Sequence, residues 1–150
     1  MNHEELLSLQ DSALKQYRRA MNELGMAMAA ILRSLSPNQD THTQYTEEGL
    51  ILWGFVGEAH KQIESCEIWL AAPIKEEMGV EVLRNTFTNA LDGVKEAIMR
   101  LRVVNRRLRL RDGSYCPGSS QRNLVAAKDF LEKSKDLLNE LLALLPPRQS

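Results

Sequence analysis

The side chains of this 150-residue chain suited to nucleophilic, phosphoryl-transfer or metal chemistry are three histidines and two cysteines. His60 stands in the run Glu58-Ala59-His60-Lys61-Gln62-Ile63-Glu64. A helical histidine can carry a phosphoryl group, and a cation one turn further on steadies the added charge. Here Ile63 and Glu64 occupy that turn, and Glu64 repels a phosphate. The simpler expectation is a histidine at the margin of a core, paired with Glu64. Cys116 and His42 fall in turn-rich segments, but zinc needs about four ligands and no further Cys or His lies near either in sequence. Cys116 also lacks an identifiable base, although nearby arginines favour its thiolate. Cys66 keeps step with apolar neighbours and reads as a small core residue. A carboxylate-bridged metal pair needs Glu-x-x-His on facing helices, and no histidine here has a glutamate three residues before it. The glycine-containing segment DGSYCPGSS lacks the lysine of a phosphate-binding loop. The expectation is therefore no catalytic residue, no metal and no cofactor.

Charge placement is more informative. Arg100, Arg102, Arg106, Arg107, Arg109 and Arg111 crowd one short stretch without a single lysine. Arginine is suited to bidentate contact with carboxylates and phosphates. A helix C-terminus attracts cations on its own account, but six arginines exceed what its dipole needs. The stretch reads as an anion-binding face for an acidic protein or for nucleic acid. Tyr45 and Tyr115 offer only thin support for base stacking.

Apolar surface is the second signal. Leu50 and Ile68 project opposite the apolar seam of their helix, with Gly54 and Gly57 between them and Trp53 and Trp69 to either side. Val103 and Leu110 likewise point away from their seam. Clustered on one helix face, such residues suggest a self-interface or a partner helix.

These residues need a scaffold, and the apolar periodicity supplies it. Hydrophobic residues recur every three or four positions, and β-branched residues never alternate along a run. The first seam reads Leu7, Leu14, Tyr17, Met21, Leu24, Met28, Ile31, Leu35, with Gln10 out of pattern. The second reads Leu52, Phe55 or Val56, Ala59, Ile63, Cys66, Leu70, behind an N-cap at Thr46. The third reads Val80, Leu83, Phe87, Ala90, Val94, Ala97, Leu101, Val104, Leu108. The fourth reads Leu124, Ala127, Leu131, Ser134, Leu138, Leu141, Leu145, behind a cap at Ser119 or Ser120. Prolines 37, 73, 146 and 147 punctuate the segments. Four amphipathic helices, roughly 3–35, 47–71, 74–111 and 120–145, predict one all-α domain over 1–150: an antiparallel up-down-up-down four-helix bundle. A third helix starting at Ile74 would run ~57 Å against ~37 Å for the second, so it must overhang or bend, and Gly79 is the place for a kink or a later start.

Antiparallel packing brings Arg33, Arg122 and Lys128 to the pole of the arginine stretch. It sends Glu4, Glu5, Glu67, Glu76, Glu77, Glu81 and Glu140 to the other. Nineteen basic residues against twenty acidic, a net charge of -1, thus conceal a molecule with opposed poles. No apolar run approaches the ~18–20 residues of a membrane span. The start MNHEELLSLQ lacks the basic-then-apolar order of a secretory leader, so a reduced, cytoplasmic setting is expected. The expected function is a non-catalytic protein–protein interaction or adaptor module, self-associating, with Arg100, Arg102, Arg106, Arg107, Arg109, Arg111 and Arg122 facing an acidic partner. Leu50, Trp53, Gly54, Gly57, Ile68 and Trp69 form its self-interface. A nucleic-acid-binding accessory protein is the alternative, and a phosphocarrier or enzyme using His60 or Cys116 is a third.

Overall fold

The computed structural model describes residues 2–34, 43–110 and 118–147. These form four α-helices and no strand: α1 (His3–Ser34), α2 (Thr43–Leu70), α3 (Val80–Leu110) and α4 (Gly118–Leu144). Each helix packs on its sequence neighbours, and α1 and α4 close the ring. Cross-links between helices fix the directions. Gln10 of α1 donates to the Ala72 carbonyl just past α2, and the Tyr17 hydroxyl donates to Glu67 of α2. Arg102 of α3 meets Glu132 of α4, while Arg84, near the start of α3, donates to the Pro146 carbonyl beyond α4. Ser134 of α4 donates to the Ala13 carbonyl of α1. All neighbours therefore run antiparallel, as in an up-down-up-down four-helix bundle.

One apolar cluster joins all four helices. The seams foreseen for α2 and α4 are buried throughout, as is that of α3 from Leu83 to Val104. Each fully buried aliphatic side chain contributes ~1.5–3 kcal/mol through loss of contact with water. Ser134 is a polar member of this core, and its bond to Ala13 satisfies the hydroxyl at 3.3 Å.

The seam of α1 differs from expectation. Leu6 is fully buried and Leu7 is 39% exposed. The inward positions are Leu6, Gln10, Ala13, Tyr17, Ala20, Leu24, Ala27 and Ile31. From Ala13 on, alanine fills every second one, so α1 turns small side chains inward there, while Leu14, Met21 and Met28 pack along the rim of the core. Gln10 is not out of pattern: it is buried, and its amide donates to Ala72 at 2.8 Å.

Two helix starts also differ. Thr46 lies inside α2, which begins at Thr43. Helix α3 begins at Val80, because residues 71–79 form an irregular connection. Its first turn closes through Leu83 N–H donating to the Gly79 carbonyl, which places Gly79 at the cap. Within the connection, Met78 N–H donates to Lys75 O. The overhang disappears as a result: at 1.5 Å per residue α3 is about 46 Å long and α2 about 42 Å. No helix among the described residues is long and apolar enough to cross a membrane.

Candidate functional site

The antiparallel register of α3 and α4 builds a basic groove. Arg102 and Arg106 stand one turn apart on α3 with Asn105 beside them, and the register that sets Arg102 opposite Glu132 sets Arg106 opposite Lys128. Arg102, Asn105, Arg106 and Lys128 line a depression of about 260 Å³. Its countercharge is Glu132, whose two carboxylate oxygens are each 2.9 Å from a cation, one from Arg102 and one from Lys135. The Lys135 hydrogen bond, with Arg102 adding to it, holds the Glu132 carboxyl below the usual glutamate range. Arg106, Lys128 and the exposed Arg122 make no ion pair among the described residues.

The arginine stretch does not act as a block. Arg100 spends its charge on Glu96 of its own helix at 3.0 Å. Arg107 lies over the Phe55 ring of α2, 5.3 Å from its centroid, so it faces the α2–α3 seam and not the groove. The side chains of Arg109 and Arg111 lie outside the described residues, as do those of Arg33, Tyr45, Leu108 and Leu110. His42, Tyr115 and Cys116 also lie outside them. Asn105 carried no sequence signal of its own. Lys128 was placed at the basic pole by the antiparallel argument, but its opposition to Arg106 is read from the register of the two helices.

Two guanidinium groups, an ammonium and an amide offer many donors and, the amide oxygen apart, no acceptor at neutral pH. Such a lining is suited to charge-assisted hydrogen bonds with carboxylates or phosphates.

The other candidates have structural partners. His60 is half-buried, and its Nδ1 lies 3.2 Å from Glu64 Oε1, the pairing its spacing suggested. Cys66 is buried, its thiol shared between the Gln62 and Ala90 carbonyls at 3.1 and 3.4 Å, and burial pushes its pKa up to about 11. Burial, and then the charge of Glu67, raise the Tyr17 phenol above its ordinary value. Among the described residues no three His, Cys, Asp or Glu side chains gather to hold a cation. A second depression, of about 340 Å³, lies between α1 and the 71–74 connection, bordered by Leu7, Asp11, Leu14 and Arg18.

On α2, Leu50 is 55% exposed and Ile68 72%, and Trp69 is exposed beside Ile68. Neither Gly54 nor Gly57 has an atom where a Cβ would reach. Trp53 departs from the expected interface, because its indole is partly buried and packs against the core. Ile51, which the sequence reading did not single out, is also exposed.

No protein-family model matches the sequence, and neither a curated protein nor a solved structure shows significant similarity to it.

Proposed function

We propose that this chain is a non-catalytic protein–protein interaction module that associates with itself and uses the α3–α4 groove to hold an acidic partner. The observation that carries the reading is the convergence of Arg102, Arg106 and Lys128 on one depression with Glu132 as its countercharge. Solvent-facing cations placed on two helices at a common level attract a partner at long range and orient it. A carboxylate of that partner takes the place that Glu132 takes at Arg102. The setting is the reducing cytoplasm, where Cys66 remains a thiol.

The test is fluorescence anisotropy with a labelled poly-glutamate peptide and a labelled oligonucleotide, at low and high salt. The peptide is expected to bind at low salt, and Arg106→Glu or Lys128→Glu to abolish binding while Arg100→Ala leaves it intact. An oligonucleotide that binds more tightly, with affinity falling steeply as salt rises, would replace this reading with nucleic-acid binding. A protein that ignores both ligands removes the groove's role as a binding site.

A further inference from the structure

The outward face of α2 carries exposed apolar side chains at both of its ends. Leu50 and Ile68 share one meridian of the helix about five turns apart, and Gly54, Gly57, Lys61 and Glu64 lie within roughly 40° of that line. Ile51 and Trp69 flank its two ends on the same side. Apolar residues thus continue around α2 beyond the seam it presents to α1 and α3. The two ends of this face are apolar and exposed, and such patches mark contact surfaces.

We infer that this face receives the same face of a second copy of the chain, the two α2 helices running antiparallel across a two-fold axis at the level of the Ala59–His60 peptide. The inference rests on the self-association proposed above and adds its surface, direction and register.

Three relations select this arrangement. About that axis, Leu50 and Ile51 of one copy reach the level of Ile68 and Trp69 of the other, so both apolar ends are covered at once. Between them the face is uneven. The half containing Gly54 and Gly57 is bare, and the half containing Lys61 and Glu64 carries long, exposed side chains. Antiparallel pairing lays the raised half on the bare half, whereas parallel pairing stacks like on like and leaves a gap at the glycines. Charge agrees with shape. Lys61 of one copy comes level with Glu58 of the other on the same flank, so the carboxylate that each Lys61 meets at 3.7 Å within its own chain is joined by a second one. A parallel pair would set Lys61 against Lys61, which is unfavourable. Isologous contact of this kind closes as a dimer.

The test uses the full chain in a Cys116→Ser background, with light scattering for mass and a short bis-maleimide for register. A dimer is expected, and Leu50→Cys mixed with Ile68→Cys is expected to cross-link, whereas neither variant cross-links alone. Ile68→Glu, at an exposed helical position, is expected to weaken the dimer at least about tenfold without loss of helix content. Cross-linking of Leu50→Cys with itself indicates parallel packing and overturns the register. A dimer that survives Ile68→Glu uses another surface and overturns the assignment of this face. Both outcomes leave self-association standing. A monomer at every concentration removes self-association itself.

Discussion

The thiol of Cys66 fills the space that a side chain at position 93 would need. The Gln62 carbonyl bounds the same space at 3.3 Å. Glycine is required there because α2 and α3 approach closely, and the buried sulfur, bonded to two carbonyls, has nowhere to retreat. Alanine would gain up to ~1 kcal/mol in helix propensity but meet an overpacking cost of ~1–3 kcal/mol. Gly93→Ala is therefore expected to lower stability by about 1–2 kcal/mol in urea unfolding. Combined with Cys66→Ala, it should cost less than the two single changes together. Strict additivity would show that the two positions do not compete.

Alkali should weaken the fold through the same sulfur. The folded state keeps the Cys66 proton to about pH 11, whereas the unfolded chain releases it near its ordinary value of ~8.5. Above that pH the unfolded state binds fewer protons than the folded one. Stability is thus complete below ~8.5 and declines as pH rises toward 11, by at most ~1.4 kcal/mol per pH unit. Tyr17, also raised, extends the decline at still higher pH. Urea midpoints at pH 7, 9 and 10 should fall in sequence in a Cys116→Ser background, and Cys66→Ala should flatten the first part. The Cys66 thiol should also resist a thiol reagent until the chain unfolds.

The placement of α1 is tested by adjacent leucines. Leu6→Ala removes a fully buried side chain and is expected to cost ~2–5 kcal/mol, while Leu7→Ala, more exposed, should cost under about 1 kcal/mol. Thermal melts of the two variants distinguish this seam from one centred on Leu7.

Glu132 gives the groove a testable countercharge. Its carboxyl titrates below the usual range, so its contribution to stability is present above about pH 4.5 and is lost as pH falls through its folded value. Glu132→Gln should cost less than about 1 kcal/mol at neutral pH, as solvent-facing ion pairs do. It should also release Arg102 and tighten binding of the acidic peptide. Weaker peptide binding by this variant would mean that Glu132 organises the groove instead of competing for it.

The bundle was legible because apolar residues recur at helical spacing along the inward stripes of α2, α3 and α4, with only the choice between Phe55 and Val56 left open. On α1 the signal was divided. Tyr17, Leu24 and Ile31 lie inside as their size suggests, but Leu14, Met21 and Met28 lie on the rim while Ala13, Ala20 and Ala27 lie inside, so bulk alone does not mark the buried line. The late start of α3 was foreshadowed by Gly79, but nothing local to Ile74 decided between a kink and a cap. Tertiary contacts of the 71–74 segment with α1, including the bond from Gln10 to Ala72, favour an irregular connection. The arginine stretch was evident as composition, yet its division depends on neighbours distant in sequence. Phe55 draws Arg107 toward α2, and Lys128 and Glu132 define a groove for Arg102 and Arg106.

The hydroxyl of Ser134 and the carbonyl of Ala13 act as a dowel between the two helices that close the ring. A half-turn slip of α1 along α4 would break that bond, and a buried hydroxyl left unpaired costs ~1–3 kcal/mol. The contact that closes the ring is thus held in register at one polar point within an otherwise apolar seam.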